Sequence, residues 1–161
     1  MKWSLIYNLS TSYITELLKK PSKLLTALDN SKSQAQFHFS QESIEVLVKS
    51  ITFQNPSLVI CMGTPSIFEA LEAICQNVLL LDIDQRLAMF HKNFCHYNMF
   101  NHHFFDEESL EIYKEQLGKH EKVIVVTDPP FGGRPELITN TLELIKNDFG
   151  ITRNKTHVSM N

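Results

Sequence analysis

Asp128-Pro129-Pro130-Phe131 is a set of residues suited to holding a planar amine. The Asp128 carboxylate accepts one N–H of an exocyclic amino group, and the Pro129 carbonyl accepts the other. Each proline lacks an N–H and fixes φ at about −65°, so this backbone is stiff and presents acceptors only. Phe131 supplies a face for stacking. These are the parts for methyl transfer to an amino nitrogen such as adenine N6. The tetrapeptide follows the apolar run Val123-Ile124-Val125-Val126-Thr127, which reads as a buried strand. A plain strand ending in a proline turn would carry the same Asp-Pro-Pro, so the rest of the chain must decide. Gly132 and Gly133 follow and permit an unusual turn beside a bound base.

The elements that must position this motif are short and alternate in type. Four apolar runs, Leu58–Met62, Val78–Ile83, Cys95–Phe100 and Val123–Thr127, are separated by helical segments near 66–76, 84–92 and 107–117. That alternation predicts an α/β fold, a parallel sheet with covering helices. Ser40 is placed to cap a helix over Gln41–Ile51, whose Ile44, Leu47, Val48 and Ile51 share one face. A last amphipathic helix is expected over 136–147. Residues 1–35 read as a peripheral helical segment, 36–150 as the core, and 151–161 as a flexible tail. The 161 residues are the size of one domain, and 43% hydrophobic content is enough for a packed core.

In an open parallel sheet, ligands collect at the carboxyl ends of the strands. After the first run comes Gly63-Thr64-Pro65. Gly63 allows close backbone approach, Thr64 can cap the next helix, and Pro65 suits its first position. The second run ends in Asp82-Ile83-Asp84, about twenty residues after the glycine turn, where an acidic residue can accept hydrogen bonds from a ribose diol. Period two puts Asp82 and Asp84 on one face, so both stay open. After the third run, Asn98 or Asn101 can bond an adenine edge, with Met99 or Phe100 covering its face. His102 and His103 invite a metal reading. Adjacent histidines in a strand point to opposite faces, and no ligand set accompanies them, so no metal is expected.

Composition narrows the function classes. No run of 18 apolar residues is present, so no transmembrane span is expected. Met1-Lys2-Trp3-Ser4 does not open a signal peptide. Cys61, Cys75 and Cys95 form no CxxC and are odd in number, which favours a reducing intracellular setting. The formal net charge of −3 argues against strong nonspecific nucleic-acid binding by this segment alone.

Three segments carry a resemblance: Leu79-Leu-Leu-Asp-Ile-Asp84, Phe94-Cys-His-Tyr-Asn-Met-Phe-Asn-His-His-Phe-Phe-Asp106 and Val126-Thr-Asp-Pro-Pro-Phe-Gly-Gly133. From about Gln36 to Ile145 the chain resembles the zinc finger CCHC domain-containing protein 4 family, N6-adenosine methyltransferases of large-subunit ribosomal RNA. The resemblance implies a Rossmann-like class I fold that uses S-adenosylmethionine, with an incomplete sheet. It implies that Gln36, Phe37, His38, Phe39, Gly63, Thr64, Pro65, Asp82 or Asp84, Asn98, Met99 and Phe100 line the S-adenosylmethionine site. Asp128, Pro129, Pro130 and Phe131 would hold the target adenine. The implied partner is ribosomal RNA, and the implied setting is nucleus or nucleolus, with cytoplasm also open. The family's zinc modules have no Cys/His cluster here to form them, and only four strands are read, so a fragment or short isoform is expected. A related protein lysine methyltransferase family acting on a translation factor shares the aromatic-Ser entry and ends its motif in Tyr. Phe131 followed by two glycines leans to the RNA family. A catalytically inactive truncated isoform is the non-enzyme alternative.

Overall fold

The computed structural model describes Thr15 and residues 18–25, 39–74, 76–130 and 132–158, with 153–158 described by backbone alone. Its elements are α1 (Gln41–Phe53), β1 (Leu58–Met62), α2 (Pro65–Glu72), β2 (Val78–Asp82), β3 (Phe94–Asn98), β4 (His103–Phe104), α3 (Glu107–Lys119), β5 (Val123–Thr127) and α4 (Pro135–Val158). One helical turn, Pro21–Leu24, precedes them, and a 3-10 turn, Gln85–Met89, links β2 to β3. The sheet order is β4-β3-β2-β1-β5. β1 pairs in parallel with β2 and with β5, β2 pairs in parallel with β3, and only the β3–β4 hairpin is antiparallel.

Side-chain alternation sorts two cores onto the two faces of the sheet. Val59 and Cys61 of β1 join Val78 and Leu80 of β2 beneath α1 and α2, where Ile44, Ile51, Ile67, Phe68 and Leu71 pack. Leu58, Ile60 and Met62 join Leu79 and Leu81 on the other face, against Tyr113 and Leu117 of α3 and Ile145 of α4. Every residue of β1 and β2 is buried, as strands covered on both faces must be. Each such Val, Leu or Ile contributes about 1.5–3 kcal/mol on burial.

Local chemistry sets the boundaries. Ser40 accepts the Ser43 N–H at 3.2 Å to open α1, and Asp106 accepts the Ser109 N–H at 2.7 Å to open α3. Glu107 and Glu108 in the first turn of α3 favour its positive end. Ser57 sets the β1–β5 register: its hydroxyl donates to the Lys122 carbonyl at 3.0 Å and accepts the Lys122 N–H at 2.8 Å.

Four expectations are corrected. Among the described residues there are five strands, because His103–Phe104 folds back on β3. β3 ends at Asn98 and not Phe100, because the Asn98 side-chain oxygen takes the Phe100 N–H at 3.0 Å and turns the chain. The expected tail after Gly150 is helical as far as Val158; Thr152 donates to the Asp148 carbonyl at 2.7 Å and keeps the turn closed. The expected helix near 84–92 is the 3-10 turn Gln85–Met89. Most of the N-terminal segment, with Gln36, Phe37 and His38, and also Cys75 and Phe131, lies outside the described residues.

Candidate active site

The carboxyl ends of β1, β2, β3 and β5 converge on one rim. Gly63 leaves β1 at φ +69, and its N–H donates to the Leu81 carbonyl at 2.9 Å. A Cβ here would lie 2.4 Å from Met99 Cε and 3.5 Å from the Asp128 carbonyl oxygen. Only glycine permits both the left-handed turn and this approach. The turn after β1, the loop after β3 and the motif after β5 therefore meet at Gly63. The Asp128 N–H reaches the Met62 carbonyl at 3.4 Å, which extends the β5–β1 ladder one residue into the motif.

Phe100 reaches the motif from the other side. A Cβ on Gly133 would lie 2.9 Å from Phe100 Cε1 and 3.1 Å from the Pro130 oxygen. The Gly133 N–H closes a tight turn onto Pro130 at 2.9 Å. Asp128 is half-buried, and among the described residues none donates to its carboxylate. Burial raises its pKa above the ordinary value. A carboxylate short of partners favours any ligand that brings N–H donors. Pro129 is exposed.

The structure separates Asp82 from Asp84. Asp84 caps the 3-10 turn by accepting the Arg86 N–H at 3.1 Å and is held by the Arg86 guanidinium at 2.8 and 2.6 Å. That hydrogen bonding lowers the Asp84 pKa. Asp82 ends β2, is 3% exposed, and takes the Asp84 N–H on one oxygen at 2.8 Å. Burial pushes the Asp82 carboxyl up to about 6, against the pull of that N–H. Asp84 is engaged by Arg86 at both oxygens, whereas Asp82 keeps acceptor capacity for a diol.

Other predicted residues take less expected places. Thr64 is buried but makes no side-chain cap to α2. The Oγ1 atoms of Thr64 and Thr127, at the ends of β1 and β5, are buried without a hydrogen-bond partner among the described residues. Pro65 occupies the first turn of α2 as expected. Phe39 packs half-buried on the α1–α2 side of the core. Asn98 spends its oxygen on the Phe100 N–H, which leaves its amide N–H groups for a ligand. His102 is not in a strand: it sits in the β3–β4 turn at φ +52, and only His103 belongs to β4. Among the described residues no group of three His, Cys, Asp or Glu is arranged to hold a metal. A groove of about 580 Å³ beside β3, lined by His91, Phe94, His96 and Asp106, uses none of these residues.

A glycine turn, an acid at the end of β2 and an Asp-Pro-Pro motif, all on one rim of a sheet whose parallel strands run β3-β2-β1-β5, are the layout of a Rossmann-like methyltransferase. The model of the family described as probable N6-adenine methyltransferase matches residues 30–158. The chain belongs to this family. It is 45% identical over 138 residues to the rRNA N(6)-adenosine-methyltransferase ZCCHC4 of Bos taurus, covering 78% of this chain and 27% of that protein. The Homo sapiens protein of the same name is 42% identical over 138 residues, with the same 78% and 27% coverage. That of Mus musculus is 40% identical over 148 residues, covering 85% of this chain and 29% of that protein. The chain thus spans little more than a quarter of the length of the curated relatives it matches.

In this methyltransferase-family chain, sequence reasoning missed the supports of the β3–β4 loop. Thr141 of α4, fully buried, donates to the Met99 carbonyl at 2.8 Å. Asp148 of α4 contacts His102 Nε2 at 3.0 Å and accepts the Tyr113 hydroxyl at 3.1 Å. A signal existed. Thr141 and Asp148 stand seven residues apart among Ile138, Leu142, Ile145 and Phe149, so two polar groups interrupt an apolar helical face.

Proposed function

We propose that this chain forms the cofactor site and the target-amine clamp of an S-adenosylmethionine-dependent N6-adenosine methyltransferase acting on large-subunit ribosomal RNA. The observation that carries this reading is the meeting of Gly63, Met99 and Asp128 at one point. It brings the cofactor turn and the Asp-Pro-Pro motif within reach of the same reacting atoms.

The donor supplies an electrophilic methyl on a sulfonium, which leaves as a neutral thioether. Gly63 admits it closely, and Asp82 accepts the ribose hydroxyls. Thr64 and the amide of Asn98 offer polar partners, and Met99 covers the adenine. Asp128 and the Pro129 carbonyl accept the two N–H groups of the target adenine. The N6 lone pair is delocalised into the purine, so that nitrogen is a poor nucleophile. Orienting it in line with the methyl is the first contribution, worth several kcal/mol. As the N–C bond forms, positive charge grows on N6, and the two oxygens stabilise it. The nitrogen then loses a proton to solvent. Phe131 and Phe100 supply stacking surface for the flipped base, worth roughly 1–3 kcal/mol per base.

The test is a calorimetric titration of the chain with S-adenosylmethionine and, in a transfer-competent protein that contains it, transfer of labelled methyl and mass measurement of the product. Binding, with label on an RNA adenosine that disappears in Asp128→Ala, supports the reading. Label on a protein lysine points to the lysine methyltransferase alternative. A folded chain that binds no S-adenosylmethionine favours the inactive isoform.

A further inference from the structure

The loop Asn98–His102 touches both halves of the site. Met99 lies over Gly63, and Phe100 lies against Gly133 and Pro130. Within the loop, the Asn98 side-chain oxygen takes the Phe100 N–H. His102 is a non-glycine residue at φ +52, a conformation that L side chains adopt at a cost. What holds it is a four-residue hydrogen-bonded chain. The Tyr97 hydroxyl of β3 lies 2.7 Å from His102 Nδ1. His102 Nε2 lies 3.0 Å from Asp148 Oδ2 of α4. The Tyr113 hydroxyl of α3 donates to the same oxygen at 3.1 Å. The ring is closed in by Tyr97 at 5.7 Å, Phe104 at 5.7 Å and Tyr113 at 6.1 Å, all near edge-on.

The roles follow from donor and acceptor counts. An ionised Asp148 only accepts, so His102 Nε2 carries the proton. Nδ1 of the neutral ring then accepts from the Tyr97 O–H. Every member is satisfied, and β3, α3, α4 and the loop are tied at one ring. Thr141 adds a second tie one loop residue from Phe100, through the Met99 carbonyl.

We infer that His102 is a positioning residue that sets Met99 over the cofactor turn and Phe100 against the Asp-Pro-Pro turn. The inference rests on the proposed methyltransferase site. It assigns His102 no contact with the reacting atoms. Through this ring, and through Thr141, α4, which lies outside the strand-end motifs, holds the loop that touches both halves.

The test uses the full chain carrying [13C]methyl-methionine. Two variants break the chain differently. His102→Asn keeps a residue tolerant of positive φ but removes both ring contacts. Tyr97→Phe keeps the aromatic packing and removes only the hydroxyl. The expected result is a displaced or broadened Met99 methyl resonance in both. S-adenosylhomocysteine affinity should fall roughly fivefold in Tyr97→Phe and tenfold or more in His102→Asn, as loss of one and of two part-buried hydrogen bonds implies. A lowered melting temperature with an unmoved Met99 resonance and unchanged affinity well below melting would overturn the inference. If His102→Asn does not fold, Tyr97→Phe decides alone. A wild-type chain that binds no S-adenosylhomocysteine would count against the proposed function. The Met99 resonance would still decide the positioning role.

Discussion

The two ends of the catalytic rim are built differently. The turn after β1 and the acid after β2 emerge from strands whose every residue is buried, each with a hydrogen-bonded neighbour on both sides. Asp128 emerges from β5, the sheet's edge among the described residues, half-exposed at every position. The half proposed for the cofactor is tied at three places: Asp84 by Arg86, Met99 by Thr141, and His102 by Tyr97 and Asp148. The substrate half has an open carboxylate, an exposed proline and a glycine at φ +90 with open space around it. Under the proposed reading, one sheet thus carries a firmly held cofactor seat and a clamp whose outer side is uncovered among the described residues. Affinity for the donor should follow from this chain's own contacts. Capture of a large substrate should depend on more than them.

The sharpest way to break that division is at Asp128. In a protein competent for transfer, Asp128→Ala should lower the transfer rate by at least about a hundredfold, because orientation and charge stabilisation are lost together. S-adenosylmethionine affinity should stay within about twofold. Comparable losses of rate and affinity would show that the two halves are not separable. At the other end, Gly63→Val should abolish detectable donor binding by calorimetry. Its side chain would enter the space held by Met99 Cε at a backbone angle strained for any L residue. Wild-type affinity in that variant would remove Gly63 from the seat.

Asp82 and Asp84 sharpen the comparison within the cofactor half. Asp82→Asn should cost roughly tenfold in donor affinity, the value of a hydrogen bond to a charged group. Asp84→Asn should leave affinity near wild type and lower stability by about 1 kcal/mol or less, since it only loosens a capped turn and a partly exposed ion pair. Acidity gives a second reading. The Asp82 pKa stands at about 6 in the folded chain, above its ordinary 3.8. A raised pKa means that this group's contribution to stability is full below about 3.8 and is lost as pH rises through about 6. Donor binding runs the opposite way, because the ribose hydroxyls need an ionised acceptor. Affinity should therefore be level above about pH 6 and fall as pH drops through it, and Asp82→Asn should flatten that profile. A profile unchanged by the substitution would move the ribose contact elsewhere.

Much of this was legible in the chain. Continuous apolar runs marked β1, β2 and β5, and strand-end motifs marked Gly63, the pair Asp82 and Asp84, and Asp128 as candidates, because a strand buried on both faces leaves chemistry only at its ends. What was not legible depended on tertiary choice. Period two treated Asp82 and Asp84 alike; Arg86, two residues beyond Asp84, tells them apart by claiming its carboxylate. The third strand was read on to Phe100, and β4 was not read, because Met99 and Phe100 are apolar while the turn depends on the Asn98 side chain and on the left-handed His102. The contacts of α4 with the loop span 42 and 46 residues, beyond the reach of local pattern.

The smallest expected effect tests the open edge itself. β5 presents an apolar strand, Val123–Thr127, with one hydrogen-bonded neighbour. Unpaired N–H and C=O groups on such an edge recruit another strand. The 161-residue chain by itself should therefore be oligomeric or poorly soluble, with little or no transfer activity. Ile124 suits a probe: it is half-buried and belongs to neither core cluster, whereas Val123 and Val125 pack on one and Val126 on the other. Ile124→Lys places a charge at the edge, as natural edge strands do, and should weaken self-association by a few-fold in sedimentation with β1–β5 pairing intact. Donor affinity should not change, because the seat lies at the carboxyl ends of other strands. A monodisperse, cooperatively melting, active wild-type monomer would show that the β5 edge is already protected and that the substrate half is as complete as the cofactor half.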